Sequence, residues 1–373
     1  MSRFDVVIVG SGYAGLACAI RLPGRSVLVL ERHPSVVEKY RGSFGTYLGI
    51  GDEIESYDNS VFLKGLGLHV EGGLQAKIER LEIRGYRERY SFKLSKPIVL
   101  LNERRIKGAL YRRALEVGTE VRVDCPVREV SVGQSLCKIR SDDDYEARVL
   151  VGADGSQSLV AHHLNLNRDK IAVLFQREAE VDMLDLAVGT MMIQVDSQRH
   201  WYVAMPYNGR YLVSVIQVLG PKGVPSNLDE LLLDRIERLD GSRCTSVQSS
   251  VVKILEPSSI SFKDNVILAG DSVSAYGFSS ISGALTQGSI AGAAIGRYLA
   301  GSSYAFPDYE KRWRKATGQN RLELLKWLFP VFARVSANNV DKAISTLSSG
   351  SSQGPWGLFS KARGSAALLR LFL

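Results

Sequence analysis

Cysteine is scarce in this sequence, and no hydrophobic run is long enough to cross a membrane. The four cysteines form no CxxC pair and have no histidine at ligand spacing; they are Cys18, Cys125, Cys137 and Cys244. Scattered cysteines favour a reducing, cytoplasmic location and argue against a structural metal. The first predicted strand has begun by Phe4, which leaves no room for a signal peptide, and a run of about eighteen apolar residues is absent.

Acidic residues are scarce in the last part of the chain. Eleven of the 47 basic residues but only two of the 39 acidic residues lie from Lys311 onward, so residues 311–373 carry +9 and the rest of the chain −1. Bases next to Trp, Phe and Leu, as in Arg321–Arg334 and Trp356–Leu373, suit peripheral contact with an anionic membrane. A helix packed on its own domain, or a dimer contact, explains the pattern equally well. No stacking platform accompanies the charge, so we expect no nucleic-acid partner.

The start of the chain carries a nucleotide-binding pattern. Asp5–Val9 is an apolar, β-branched run that predicts a buried parallel strand, and it leads into the glycine-rich segment Gly10–Gly15. A helix-compatible segment and a second apolar run, Ser26–Leu30, follow, and that run ends in Glu31. The glycines permit a tight turn and close approach of a pyrophosphate to the helix N-terminus, and the acid accepts from ribose hydroxyls. A carboxylate at position 31 suits FAD or NAD rather than NADP.

Two more buried-strand patterns end in similar turns. Arg148–Val151 leads into Gly152-Ala-Asp154-Gly155-Ser156, and Asn265–Ala269 leads into Gly270-Asp271. With the first motif, these turns resemble the FAD-dependent hydroxylase superfamily, and within it the geranylgeranyl reductase-like branch. The superfamily reads GxGxxG, then GADGxxSxV, then GD before a glycine-rich turn and a long helix, and here the resemblance spans residues 5–300.

The resemblance implies an α/β fold of para-hydroxybenzoate hydroxylase-like architecture. It contains a Rossmann-like FAD-binding domain, an antiparallel-sheet substrate domain and a C-terminal helical region. The implied FAD-binding domain is discontinuous, at residues 1–75, 97–165 and 250–300; the sheet domain takes 76–96 and 166–249, and the basic helical region 301–373. By this resemblance, the implied FAD contacts are Gly10, Gly12, Tyr13, Ala14, Gly15, Glu31, Arg32, Arg104, Val127, Asp154, Gly155, Gly270, Asp271, Ser280 and Ile281.

Individual roles follow from the same resemblance. Asp154 lies near the pyrophosphate and supports the fold there, and Asp271 accepts from a ribityl hydroxyl; either aspartate instead caps its own turn if the family role does not apply. In the family, an arginine at the start of the helix after Asn102 commonly contacts FAD. Arg104 is the nearest candidate for that arginine, and Arg105 is almost equivalent. The dipole of the helix that follows Asp271 stabilises the anionic reduced flavin.

The sequence departs from the family around the flavin ring. Ala275 stands where the family has proline, and residues 278–280 where it has glycines. Ala161 replaces the arginine of the middle motif in hydroxylases, and residues 41–51 lack the cysteine of many geranylgeranyl reductases. Tyr276 and Ser279 lie by sequence near the expected flavin ring and are the candidates for a catalytic role.

Several segments have predicted structures of their own. Asn102 predicts the N-cap of a helix to about Val117, Asn227 caps a helix to Leu239, and Ile281–Leu299 predicts a long helix. Three runs within residues 119–141 predict a meander, and four runs within residues 171–219 predict an antiparallel sheet. A Ser/Gly-rich linker is predicted at Ser345–Gly354.

The strand Trp201-Tyr-Val203-Ala-Met205-Pro206 occupies the place of an aromatic strand in prenyl reductases. We therefore expect its side chains to line a hydrophobic tunnel for the substrate, or else simply to fill the core of a sheet. The residues are Trp201, Val203, Met205 and Pro206. The resulting hypothesis is reduction of C=C bonds in an isoprenoid-like lipid by hydride from FAD N5, with electrons from NAD(P)H or a ferredoxin-like carrier. The alternatives are an FAD-dependent monooxygenase or halogenase, and a non-catalytic prenyl-lipid carrier resembling the GDP-dissociation inhibitors.

Overall fold

The computed structural model describes residues 2–37, 65–68, 74–165, 170–207, 209–220, 222–239, 242–255, 260–273, 281–317 and 336–349. Within these residues the strands form two sheets, which we name sheet A and sheet B.

Sheet A has eight strands around a parallel centre. Its main path runs in the order β14-β15-β8-β1-β2-β5, and β7 and β6 extend it from the first part of β8. All pairs among β15, β8, β1, β2 and β5 are parallel. The strands are β1 Ser2–Val9, β2 Val27–Leu30, β5 Glu120–Arg122, β6 Glu129–Val132, β7 Cys137–Arg140, β8 Asp144–Gly152, β14 Phe262–Lys263 and β15 Val266–Leu268.

The central strands of sheet A consist of consecutive apolar residues, because both faces of a parallel sheet are covered by helices. Val6, Val7 and Ile8 of β1 are fully buried. Burial raises the pKa of the Cys18 thiol, in the first helix, to about 12, so this thiol is not a reactive thiolate. The helices of this part are α1 Tyr13–Ile20, α2 Glu103–Glu116, α3 Leu159–His163, α5 Ile281–Leu299 and α6 Ala305–Thr317.

Sheet B has seven strands in the order β13-β9-β12-β11-β10-β3-β4. They are β3 Leu74–Arg84, β4 Arg89–Leu101, β9 Lys170–Met183, β10 Thr190–Val195, β11 His200–Tyr207, β12 Arg210–Leu219 and β13 Ser242–Leu255. Every pair is antiparallel except β3 with β10, which is parallel. The predicted hairpin is present, since Tyr207 pairs with Arg210.

Two helices lie against sheet B, one on each face. Helix α4 (Leu228–Arg238) packs Leu228, Leu232 and Ile236 on the face that we call the back face, which carries Tyr202 and Val213 among others. Helix α7 (Ala337–Ser349) packs Val340 and Ile344 on the opposite, front face, which carries Trp201, Val203, Met205, Leu212 and Ile216. Since side chains alternate along a strand, neighbouring residues of β11 serve different cores.

The predicted helix starts and ends hold closely. The side chain of Asn102 caps α2 by accepting from the N–H of Arg105 at 3.0 Å, and Asn227 caps α4 by accepting from the N–H of Glu230 at 3.4 Å. The long helix α5 runs from Ile281 to Leu299 as predicted. None of the helices in the described part of the chain is long and apolar enough to cross a membrane.

Three expectations need correction. The first run of the predicted meander, β5, pairs with β2 in parallel instead of joining β6 and β7, because a strand that follows a crossover helix returns beside its predecessor. Ser345–Ser349, placed in a linker, belongs to α7, where the Ser345 hydroxyl donates to the Asp341 carbonyl at 2.9 Å. Sheet B also contains β13, a strand that the sequence did not indicate.

The expected domain boundaries near residues 96 and 249 fall inside strands. β4 continues to Leu101 because it pairs with β3 as far as Leu74, and β13 continues to Leu255 along β9. The division of the chain into structural domains otherwise stays a prediction.

Candidate active site

The phosphate-binding candidate lies where the strands of sheet A end. Gly10 follows β1 and adopts φ +100°, a conformation open mainly to glycine, and its N–H donates to the Leu30 carbonyl at 2.8 Å. Helix α1 starts after Gly12, which offers no side chain as a cap, and its first turn contains no acid. The first-turn N–H groups, which have no partner within the helix, and the positive end of the dipole suit an anion.

The three glycines of this loop differ in what surrounds them. A methyl group at Gly15 would lie 2.0 Å from the Gly10 carbonyl oxygen, and one at Gly10 would lie 2.4 Å from the Ala153 oxygen. A methyl group at Gly12 would meet nothing closer than 4.0 Å. Two glycines therefore serve close packing, while the space in front of Gly12 is open. That opening fits a pyrophosphate against the backbone, as the resemblance implied.

Glu31 is fully buried at the end of β2. Its carboxylate accepts from the Ser11 N–H at 2.9 Å, from the Ser11 hydroxyl at 2.6 Å and from the His33 N–H at 2.9 Å. Glu31 therefore ties the phosphate loop to β2, and a ribose hydroxyl would join Ser11 at this carboxylate. Arg32, beside it, is exposed.

The second motif packs on the first. Ala153 donates its N–H to the Val9 carbonyl at 2.9 Å and lies against Gly10. Asp154 accepts from the Ser158 hydroxyl at 2.6 Å and from the Leu159 N–H at 2.7 Å. Burial raises the pKa of the Asp154 carboxyl although these bonds act to lower it. Asp154 therefore caps its own turn and α3, and its place near the pyrophosphate stays a prediction.

The third motif is bonded to the second. The Ala269 N–H donates to the Gly152 carbonyl at 2.9 Å, and the Ser272 hydroxyl lies 2.5 Å from the same oxygen. Gly270 has φ +68° and sits against Ala14 of α1. Asp271 follows in a short 3₁₀ turn at the same edge of sheet A.

Helix α5 packs on α1 through glycine. A methyl group at Gly288 would lie 2.1 Å from the Ala14 carbonyl oxygen, and one at Gly292 would lie 2.4 Å from the Cys18 oxygen. The middle of α5 is thereby fixed against α1 at the end of the phosphate loop, and Ile281 is the first residue of α5. Ser280, Tyr276 and Ser279 lie outside the described residues.

Helix α2 adds a residue that the sequence analysis missed. Arg104 and Arg105 are exposed, whereas Lys107 is 8% exposed and its Nζ lies 5.6 Å from the centroid of the Tyr13 ring. This contact places a buried cation beside the phosphate loop, one helical turn after Arg104. Val127 is partly buried against the core of sheet A.

The predicted substrate residues divide between the two faces of sheet B. Trp201, Val203 and Met205 alternate on the front face, and Val203 and Met205 are fully buried. Pro206 falls on the back face because β11 keeps its alternation without a bulge. Val218, at the end of β12, packs on both the front face and the core of sheet A, which joins this face to the cofactor half.

The front face also contains a polar row that the sequence analysis did not single out. Val203 pairs with Ser214, which pairs with Glu178 of β9. Glu178 is 5% exposed, and it accepts from the Gln176 amide at 2.7 Å and from the Ser214 hydroxyl at 3.4 Å. A buried carboxyl group thus lies beside the apolar side chains of the front face. Its only sequence signal is a polar residue at an inward position of a strand.

Comparisons with known proteins agree with this geometry. A family model described as FAD binding domain matches residues 3–276. The mitochondrial ubiquinone biosynthesis monooxygenase COQ6 of Caenorhabditis elegans is 29% identical over 195 residues, which cover 44% of this chain and 41% of that protein. The match thus spans less than half of that relative.

Two solved structures share the fold. A geranylgeranyl bacteriochlorophyll reductase-like protein from Thermoplasma acidophilum has a TM-score of 0.78 at 17% identity, covering 100% of this chain and 96% of that one. The p-nitrophenol 4-monooxygenase of Pseudomonas putida has a TM-score of 0.68 at 18% identity, covering 99% and 96%. At such identities a likeness shows the fold alone. The predicted fold class and the prediction of FAD as cofactor are confirmed.

Proposed function

Because the chain belongs to the FAD binding domain family, and is thus an FAD-dependent oxidoreductase, we propose that it reduces C=C bonds of a hydrophobic, isoprenoid-like substrate. The observation that carries this proposal is Glu178, a buried carboxyl on the front face of sheet B in the same row as Val203. Alkene reduction needs a hydride on one carbon and a proton on the other. In this proposal Trp201, Val203 and Met205 contact the hydrocarbon chain of the substrate, and the Glu178 carboxyl carries the proton.

Each part of the chain has a role in this proposal. Gly12 and the first turn of α1 bind the pyrophosphate of FAD, and Glu31 with Ser11 binds the ribose. FAD bound there would supply the hydride when reduced. Trp201, Val203 and Met205 exclude water from the alkene, and the Glu178 carboxyl gives its proton to the second carbon. Gln176 and Ser214 orient that carboxyl through their hydrogen bonds.

Two further partners complete the proposal. NAD(P)H or a ferredoxin-like carrier supplies electrons, and the basic segment 311–373 contacts an anionic membrane surface that holds the lipid. In α6, Arg312 pairs with Asp308 at 2.8 Å and Arg314 pairs with Glu310 at 2.8 Å. Two of the four bases of α6 are therefore paired with acids of the same helix.

The experiment is anaerobic single turnover. The purified protein, with its flavin confirmed by visible spectrum, is reduced by dithionite and mixed with a polyprenyl alcohol. We expect flavin reoxidation and a product richer by two hydrogens. A product that forms only with oxygen and carries one extra oxygen atom would replace this proposal by the monooxygenase alternative, and a colourless protein that retains a polyprenyl lipid would favour a carrier.

Glu178→Gln tests the proton donor. We expect FAD binding to persist and the turnover rate to fall by about 10²-fold or more, in the range of general acid catalysis. Glu237→Gln, at an exposed glutamate of α4, is the control and should leave the rate within about twofold of the wild-type value. Equal rates for the wild type and the Glu178 variant would remove Glu178 from the mechanism.

A second candidate function is hydroxylation of a prenylated aromatic compound by FAD and oxygen. It is favoured by the 29% identity to a ubiquinone biosynthesis monooxygenase. The same apolar face would hold the prenyl chain. Oxygen consumption that depends on a prenylated phenol and is coupled to product formation would support it over reduction.

A further inference from the structure

A second constellation of reactive side chains lies on the back face of sheet B, away from the front face. His200 starts β11 and is 1% exposed. Its Nδ1 lies 2.8 Å from Oδ2 of Asp196, and its Nε2 lies 3.2 Å from Oγ of Ser226. The order carboxylate, imidazole, hydroxyl at hydrogen-bond distance is that of a nucleophile activated by a general base, which is oriented by an acid.

Gln217 of β12 fixes the tautomer of the imidazole. Its Oε1 accepts from the Ser226 N–H at 2.8 Å, so the amide orientation is set and Nε2 is the donor. That Nε2 lies 3.3 Å from Nε2 of His200 and 3.1 Å from Oγ of Ser226. His200 Nε2 is therefore an acceptor, and its proton sits on Nδ1 facing Asp196. The Ser226 hydroxyl accepts from Gln217 and donates to His200, and it shares the single lone pair of His200 Nε2 with the Gln217 amide.

Asp196 is held in place and ionised. One carboxylate oxygen accepts from the N–H groups of Gln198 and His200, each at 2.8 Å, and the other accepts from the imidazole and from the Tyr202 hydroxyl at 3.0 Å. Burial acts to raise the pKa of Asp196, but the bonds from His200 outweigh it and the pKa lies below the ordinary value. An ionised carboxylate stabilises the imidazolium that forms when His200 takes a proton.

Ser226 is exposed, although its base is buried. It stands directly before Asn227, the N-cap of α4, so the positive end of that eleven-residue helix begins two residues after the hydroxyl. The positive end of a helix stabilises negative charge that develops on a nearby oxygen. The acid nearest to this end, Asp229, is paired with Arg177 at 2.7 Å. Val224, 84% exposed, offers an apolar contact two residues before the hydroxyl.

We propose that Ser226, His200 and Asp196 form a second active site that hydrolyses a carboxylic ester. The Ser226 oxygen attacks the ester carbonyl carbon while its proton passes to His200 Nε2. The bond to the alcohol oxygen then breaks, and His200 gives that proton to the leaving alcohol. Water attacks the acyl-serine, His200 takes a proton from the water and returns it to the Ser226 oxygen, and the carboxylic acid leaves. No redox reagent takes part, so this site works independently of FAD.

The test uses the full-length, FAD-loaded protein and a fluorophosphonate probe, which reacts with activated serines and not with ordinary ones. We expect one adduct per chain, located on Ser226 by peptide mass spectrometry, and a burst of one equivalent of p-nitrophenol from p-nitrophenyl acetate. Ser226→Ala should abolish both while the flavin spectrum stays unchanged, since this side chain is exposed. Absence of an adduct on Ser226 in the wild-type protein overturns the proposal.

His200→Gln separates an activated serine from a merely exposed one. We expect the labelling rate to fall by about 10²-fold, the lower range of general base catalysis. Labelling of Ser226 at the wild-type rate in this variant overturns the proposal. If the variant does not fold, the wild-type adduct, its loss in Ser226→Ala and the ester burst decide the question on their own.

Discussion

The phosphate-binding edge of sheet A and the front face of sheet B are built in opposite ways. At the first, backbone meets backbone, and the would-be methyl groups of Gly10, Gly15 and Gly288 all lie within 2.4 Å of a carbonyl oxygen. At the second, side chains such as Val203 and Met205 fill the space, and only their volume and polarity are fixed. At the phosphate-binding edge, no residue larger than glycine fits at these positions, so the shape of the cofactor site is fixed. On the front face, one apolar side chain can replace another, which is how one fold takes different substrates.

The largest expected effect is at the contact between α5 and α1. Gly288→Ala places a methyl group 2.1 Å from the Ala14 carbonyl oxygen, so we expect a loss of about 3 kcal/mol of unfolding free energy and poor recovery of FAD-loaded protein. Gly296→Ala in the same helix meets nothing within 4 Å and should stabilise by about 1 kcal/mol. Thermal unfolding of both variants makes the measurement, and equal melting temperatures would contradict the close-packing account.

Gly12→Ala separates cofactor binding from folding. The new methyl group has 4.0 Å of clearance in the protein but would occupy the space of the pyrophosphate. We expect the free energy of unfolding of the apoprotein to stay within about 1 kcal/mol of the wild-type value. FAD should bind about 100-fold more weakly, which is a loss of about 2.7 kcal/mol of binding free energy. Fluorescence titration with FAD measures the affinity. An unchanged Kd would show that the pyrophosphate lies elsewhere.

Met205→Ala makes the corresponding change on sheet B. Met205 is fully buried, so the cavity should lower the unfolding free energy by about 2 kcal/mol. The flavin content should stay at the wild-type level because Met205 does not belong to the phosphate loop. Urea unfolding and the ratio of flavin to protein absorbance test both expectations, and a parallel loss of flavin would mean that the two regions are not separable.

Tyr309→Phe removes a side-chain hydrogen bond beside sheet A, the region in which close backbone contacts dominate. The Tyr309 hydroxyl donates to the Leu268 carbonyl at 2.6 Å, and burial raises the pKa of this phenol. Its removal should lower the unfolding free energy by about 1 kcal/mol and leave FAD affinity unchanged. A loss comparable to that of Gly288→Ala would show that side chains matter as much as backbone contacts there.

Acid should weaken sheet B through Asp196. Because the pKa of this carboxyl is lowered in the folded protein, it contributes stability above its ordinary value of 3.8 that is lost as pH falls through the lowered value. Asp196→Asn should therefore lower stability at neutral pH and make it less dependent on pH below 3.8. Urea unfolding across that range tests the sign, and parallel curves for the two proteins would refute it.

Local signals explain what the sequence predicted well. The strand and turn around Gly10, the caps at Asn102 and Asn227 and the helix from Ile281 depend on neighbours within a few residues. The three motifs, the fold class and FAD followed from such signals together with the family resemblance. The close contacts of Gly15 and Gly288 extend that account, because they explain why no other residue fits.

Pairing between distant segments explains what the sequence could not predict. β5 reads as the start of a meander but lies beside β2, and β13 is a mixed polar strand that only β9 identifies. Glu178 and the cluster of His200 and Ser226 became visible only when the register placed Ser214 and Gln217 next to them. Single polar residues in strands carry no signal of the face on which they lie.

The parallel centre of sheet A has a consequence for synthesis on the ribosome. β1 and β2 emerge first, but β8 and β15, which complete the centre, follow more than a hundred residues later, with sheet B between them. At about 5–20 residues per second, β15 leaves the ribosome roughly 10–50 s after β2. Val6–Val9 has one edge unpaired until β8 arrives, and β8 in turn has one edge unpaired until β15 arrives. The nascent chain is therefore expected to depend on a chaperone until the last strand of its cofactor domain arrives.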